Sequence, residues 1–168
     1  MKLMKQIGSI VVVGALLFSL TACGGKKAKK ISGEDFTKEL EGMSYSVADL
    51  SEYDEDSKTN IMASNEDGTI LYTYYEFNST QDADKFFDDG YEQMSTVKEM
   101  PDYSGKINKS GDKFTVNATF KDDEGNDSST YIVCVKAEDM VIVALTENNS
   151  DEVVKSVDKT IDTLCYTK

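Results

Sequence analysis

Carboxylates dominate the chemistry this sequence offers. In 168 residues there are 31 acids, 18 basic residues and no histidine, for a formal net charge of −13. Every basic residue is a lysine. Without histidine the chain lacks the usual general base, the Ser-His-Asp arrangement and the commonest zinc ligand. Without arginine it lacks the bidentate fork for carboxylates and phosphates. What remains is the chemistry of acids, phenols and thiols. Two acids facing each other across a cleft hydrolyse glycosides. Glu76 is the most interesting single acid, because aromatic and apolar residues flank it within a strand-like run. Buried alone its pKa would rise; a lysine partner would prevent that.

The acidic runs Asp54-Glu55-Asp56 and Asp122-Asp123-Glu124-Gly125-Asn126-Asp127 carry the hard oxygen ligands that calcium takes. The register of a calcium loop fails in both. Gly125 at the glycine position puts Phe120 where an aspartate is needed, and the first run has no glycine turn. Both read as solvated turns, and no metal or cofactor is expected. Of nine tyrosines, Tyr72 and Tyr74 share one face of a strand while Tyr75 points to the other. A tyrosine covers apolar area and orients a polar partner through its hydroxyl. Tyr72, Tyr74, Tyr75 and Glu76 are therefore the candidate binding surface, and filling a half-buried sheet is the competing use of the same rings. The last pair is Cys134, in an apolar strand-like run, and Cys165, which continues the face of Val157 and Ile161 at four-residue steps. Packing of that helix on the sheet would bring the two thiols together as a disulfide enclosing 30 residues. The alternative is two buried thiols serving as small hydrophobes.

At the N-terminus, Lys2 and Lys5 precede an apolar run from Ile7 to Leu20 and then small residues. The run is shorter than the roughly 20 residues that span a bilayer. A charged start, an apolar stretch and a small-residue cleavage site make a secretory signal peptide. Leu20-Thr21-Ala22-Cys23 resembles the lipobox of bacterial lipoproteins. That resemblance implies cleavage before Cys23, a diacylglyceryl group on its thiol, and attachment to the outer face of the cell membrane. The organisation expected is a signal peptide over 1–22, a lipidated cysteine with a short basic tether over 23–30, and one extracytoplasmic domain over 31–168. Lys26, Lys27, Lys29 and Lys30 read as a solvated tether near anionic head groups. The acidity of the remainder excludes nucleic acid as a partner.

The elements that must position these residues follow from periodicity. Helices are expected over 31–43, from Ser79 through the stripe Ala83, Phe86, Phe87, Gly90, Tyr91 and Met94, and over 150–164. Ser32 and Ser79 each precede an aspartate by three residues, as in a capping box, and Asn149 is the candidate cap of the last helix. Strands are expected over 45–50, 59–64, 69–77, 103–108, 113–121, 130–136 and 140–146, with a hairpin at Asn65-Glu66-Asp67-Gly68. The order α-β-β-β-α-β-β-β-β-α fits an α+β domain: a mainly antiparallel sheet with helices packed on one face. The first helix, the hairpin, the Tyr-Tyr-Glu-Phe strand and the acidic helix after it resemble a group of small lipoproteins of Gram-positive anaerobes. The group has no established activity, so the resemblance implies a Gram-positive envelope and no reaction. Two classes of function are compatible. One is a tethered binding or assembly module for a protein, peptide or cell-wall component. The other is a carboxylate-dependent glycan hydrolase or calcium-dependent envelope enzyme. A small acidic lipoprotein also suits inhibition of, or immunity to, a neighbour's secreted enzyme.

Overall fold

The computed structural model describes residues 27–96, 98, 102–121 and 127–166. Cys23, and Asp122 to Asn126 of the second acidic run, lie outside the described residues. Three helices and seven strands run in the expected order: α1 (Gly33–Gly42), β1 (Ser46–Asp49), β2 (Thr59–Ser64), β3 (Ile70–Glu76), α2 (Thr80–Thr96), β4 (Ser104–Ser110), β5 (Lys113–Lys121), β6 (Asp127–Ala137), β7 (Met140–Thr146) and α3 (Asp151–Cys165). A single 3₁₀ turn at Ser51–Tyr53 joins β1 to β2. All pairings are antiparallel, in the order β1-β2-β3-β7-β6-β5-β4. Two meanders, β1–β3 and β4–β7, are thus joined edge to edge through β3 and β7.

Local chemistry sets the ends of these elements. The Ser32 hydroxyl accepts from the Asp35 amide at 3.1 Å and donates to its carboxylate at 2.9 Å, and Ser79 does the same with Asp82 at 3.2 and 2.7 Å. Each aspartate also places negative charge at a positive helix end. Asn149 does not cap α3. Its side chain donates to Asn117 Oδ1 at 2.8 Å, and the cap position falls to Ser150, whose amide is held by Asn148 Oδ1 at 2.9 Å. In the β2–β3 turn Gly68 adopts φ +67°, which glycine reaches without penalty.

The helices are not confined to one face. Strand alternation sends Ile61, Ala63, Tyr72, Tyr74, Tyr131, Val133, Val135, Met140, Ile142 and Ala144 to one side, under Phe36 and Leu40 of α1 and Val157, Ile161 and Leu164 of α3. The same alternation sends Phe114, Val116, Ala118, Cys134 and Val141 to the other side, where α2 covers them with Ala83 and Phe87. The physical reason is that β3, β6 and β7 are apolar at consecutive positions, so both of their faces need a cover. Helix α2 is also pinned to edge strand β4. Lys109 Nζ stands 4.6 Å from the Tyr91 ring centroid and 5.1 Å from that of Phe87, and it meets Asp88 at 2.8 Å.

This two-sided arrangement removes the disulfide. Cys134 packs with α2, Cys165 packs with α1 and the opposite face, and the sheet lies between them; both are free and buried. Burial pushes both thiols up, Cys165 to about 12. Alkylation of denatured, unreduced domain is therefore expected to find two thiols at Cys134 and Cys165. The folded domain is expected to react with neither on the same timescale. Recovery of an unalkylated, bridged pair by mass spectrometry would contradict the fold.

Candidate functional site

Strand register places each sequence-derived candidate. Tyr72 and Tyr74 are fully buried, so they offer no binding surface. Tyr72 meets Tyr45 edge-on at 5.3 Å, and Tyr74 lies against Phe36 at 5.4 Å. Burial raises both phenols. Tyr75 alone of the three faces the α2 side, where it stays half-buried. Its ring lies 5.0 Å from Phe86 and 6.0 Å from Phe77. Phe86, expected in the buried stripe, is instead 38% exposed.

Two rows of cross-strand neighbours show how unevenly the two faces are covered. On the α1/α3 face the row Val47, Ala63, Tyr72, Ala144, Val133 is buried across its four inner strands. On the α2 face the row Met62, Thr73, Val143, Cys134, Phe114 is half-buried on β2, β3 and β7, and buried only at Cys134 and Phe114 beneath the helix. The next row, Leu71, Leu145 and Ile132, is half-buried throughout. Helix α2 lies over β4, β6 and β7. Helix α2 reaches β3 through Phe86 against Tyr75, and among the described residues its main packing is not on β1–β3. The result is a strip of half-buried apolar residues, Met62, Leu71, Tyr75, Val143 and Leu145, running beside α2 with Phe86 on its flank. Single residues such as Met62 gave no sign of this. The signal in the sequence was the count of one helix against seven strands on a face.

The first acidic run lies at one end of this strip. Asn60, the cross-strand neighbour of Tyr75, donates to Asp54 Oδ2 at 2.9 Å. The Ser57 hydroxyl donates to the same oxygen at 2.7 Å, and the Asp56 and Ser57 amides donate to Oδ1 at 3.0 and 3.3 Å. The Ser57 hydrogen bond is the largest influence holding Asp54 below the usual carboxylate range. Asp54 thus organises the β1–β2 connection with both oxygens engaged. Among the described residues no cluster of three or more acids and thiols is placed to hold a metal ion.

Glu76 sits in a four-residue ion cluster. Lys58 Nζ is 3.1 Å and Lys30 Nζ 3.2 Å from Glu76 Oε1, and Lys30 also meets Asp139 in the β6–β7 turn. The Tyr74 hydroxyl donates to the Ile31 carbonyl at 3.2 Å. Burial acts to raise Glu76, but hydrogen bonds from Lys58 and Lys30 outweigh it and leave its pKa below the ordinary value. Asp139 shifts the same way, because Lys30 outweighs its burial. Glu76 is therefore ionised near neutrality and has no proton to give as a general acid. The unexpected member is Lys30. The basic segment expected as a solvated tether is docked on the domain: Ala28 is buried in the core, and the Lys29 amide donates to the Cys165 carbonyl at 2.9 Å. The folded unit thus begins a few residues before the expected boundary at Ile31.

No family model matches the chain, and no curated protein does. Among solved structures, the extracellular domain of PknH from Mycobacterium tuberculosis is similar at a TM-score of 0.40 and 12% identity, over 76% of this chain and 69% of that one. A likeness this distant says nothing about what either domain binds. Among the described residues no helix is long and apolar enough to cross a membrane.

The ion cluster sets a pH dependence. Glu76, Asp139 and Asp54 have folded pKa values below their ordinary ones. Their contribution to stability is full above the unfolded values near about 4 and is lost as pH falls through the folded values. Thermal unfolding of the wild-type domain is expected to move to lower temperature as pH falls from about 6 to 3. Glu76→Gln should cost about 1–2 kcal/mol at neutral pH, where it loses two charged hydrogen bonds, and should flatten that slope. An unchanged slope in the variant would show that Glu76 does not carry it.

Proposed function

We propose that the chain is an extracytoplasmic lipoprotein, anchored at Cys23, whose domain is a binding module for a protein or peptide segment. One observation carries this reading: the half-buried apolar strip beside α2, where Met62, Leu71, Val143 and Leu145 face solvent in part, with Tyr75 and the exposed Phe86 of α2 at one end. A contiguous apolar surface rimmed by polar residues marks an interaction site. The strip borders the acidic first turn of α2, with Asp82, and the acidic β1–β2 connection. At a net charge of −13 such a surface favours a basic apolar segment and repels an acidic one. Aromatic side chains at the α2 end give that segment rigid contact area at low entropic cost.

Two measurements test the two halves of this reading. Cys23→Ser is expected to release the protein from membranes or block its maturation, and intact-mass analysis should show the loss of the lipid. Membrane retention with an unchanged mass would remove the lipid anchor. For the strip, a photo-crosslinking residue at Thr73 should yield discrete adducts with envelope proteins in intact cells, and one at Glu39 on exposed α1 should not. Met62→Asp with Leu71→Asp should abolish those adducts while membrane attachment persists. Equal labelling from Thr73 and Glu39 would reject the strip as the binding face.

A further inference from the structure

The docked basic segment fixes which end of the domain faces the bilayer. Strand direction defines two poles. At one pole lie the end of β3, the start of β2, the β6–β7 turn, the N-terminus of α1 and the C-terminus of α3. At the other lie the Asn65–Thr69 turn, the end of β7 and the N-terminus of α3. Ala28, Lys29, Lys30 and Ile31 each make contacts at the first pole. Ala28 enters the core, the Lys29 amide bonds to the Cys165 carbonyl, and Lys30 joins Glu76 and Asp139. The Ile31 carbonyl accepts from Tyr74, after which the chain enters α1 at Gly33.

From Cys23 to Lys27 there are four residue steps, which span at most about 14 Å when fully extended. A free tether over the whole expected segment to Lys30 would reach about 25 Å and would let the domain turn over. The poles themselves are about 20 Å apart, the six residue steps of a seven-residue strand such as β3. The short reach therefore cannot invert the domain, with the far pole on the surface and this pole lifted the full strand length above it, while the segment stays docked.

We propose that the pole carrying Lys27–Lys30 and the end of α3 is a membrane-facing surface, and that docking of this segment, rather than charge attraction, orients the domain on the bilayer. The inference rests on the lipid anchor at Cys23. Acids such as Glu34, Asp35 and Asp49 at this pole oppose contact with anionic lipid, so the orientation comes from the covalent reach. The half-covered strip then runs from this pole, at Tyr75, toward the far pole, at Leu71 and Leu145. Its far end stays open to a partner in the envelope.

The test uses the full lipidated chain in vesicles of phosphatidylethanolamine and phosphatidylglycerol that contain a head-group nitroxide lipid. A bimane fluorophore is placed at Glu34→Cys on the near pole or at Asp67→Cys on the far pole. Cys134 and Cys165 are buried and do not compete for the label. Quenching at Glu34→Cys is expected to exceed that at Asp67→Cys several-fold. Lys30→Glu, which puts a third acid beside Glu76 and Asp139, should bring the two positions toward equal quenching while the protein still floats with the vesicles. Equal quenching in the parent chain, stronger quenching at Asp67→Cys, or a difference that survives Lys30→Glu in a folded protein would each overturn the orientation. Failure of the parent chain to float would instead overturn the lipid anchor, and the orientation with it.

Discussion

A sheet of seven strands at a spacing of about 4.8 Å is about 29 Å wide, and one packed helix covers about 10 Å of it. Each face therefore needs close to three helices, and the described residues supply three for both. On one face α1 covers the β1–β3 half and α3 covers the β6 half, with the docked segment filling the margin at Ala28. On the other face α2 stands alone. Period-two alternation leaves no escape, because every residue of β3 and β7 is committed to one side or the other. The large apolar side chains Tyr72, Tyr74, Met140 and Ile142 go to the well-covered face. On the poorly covered face the inner positions of β2, β3 and β7 read Met62, Leu71, Thr73, Val143 and Leu145, a mixture that stands partial exposure. The half-covered strip thus follows from the number of helices, not from any one residue.

The alternation in β3 and most of the helical stripes, Phe86 excepted, are legible in the sequence, as are both serine caps and the Asp-Gly turn. They were legible because each is a local property: period, hydroxyl at a helix start, glycine at a turn. The side of the sheet each helix would take was not local. A run such as Tyr131 to Val135 says only that both faces are covered, and not by what. Placing every helix on one face therefore brought Cys134 toward Cys165, although their neighbours Val133 and Val157 share a core that Cys134 faces away from. The choice between binding surface and filled sheet at Tyr72 and Tyr74 stays open in the sequence for a related reason. A tyrosine in a central strand reads alike whether its ring reaches solvent or ends under α1 and α3.

The docked lysine was the least legible feature. Gly24-Gly25-Lys26-Lys27-Ala28-Lys29-Lys30 has the composition of a solvated linker, and composition was the only local signal available. What overrides it is distant in sequence. Glu76 ends a central strand and Asp139 sits in a turn that the register brings beside it, with the Glu76↔Met140 pair as the link. Two carboxylates brought that close repel each other unless a cation stands between them. Lys30 meets both and Lys58 meets Glu76, which is why the pKa of Lys30 is raised while those of Glu76 and Asp139 are lowered. The requirement for a lysine there is set by the fold. That the lysine comes from the N-terminal segment is set by α1, whose entry at Gly33 against Ile61 and Tyr74 delivers the preceding residues to this end of the sheet.

The separation of the two thiols has a consequence for their reactivity. Disulfide formation and exchange proceed through the thiolate, so their rates follow its abundance and its access to an oxidant. Cys134 lies beneath α2 beside Phe114 and Val141, and Cys165 lies beneath the docked segment; burial disfavours ionisation at both. Neither thiol presents a nucleophile at the surface, and the sheet keeps each from the other. They behave as small hydrophobes that the fold makes unreactive. The stability a bridge would have lent the C-terminal helix has to come from other contacts. Those are the buried face of Val157, Ile161 and Leu164, and the Lys29–Cys165 backbone hydrogen bond that ties the helix end to the segment preceding α1.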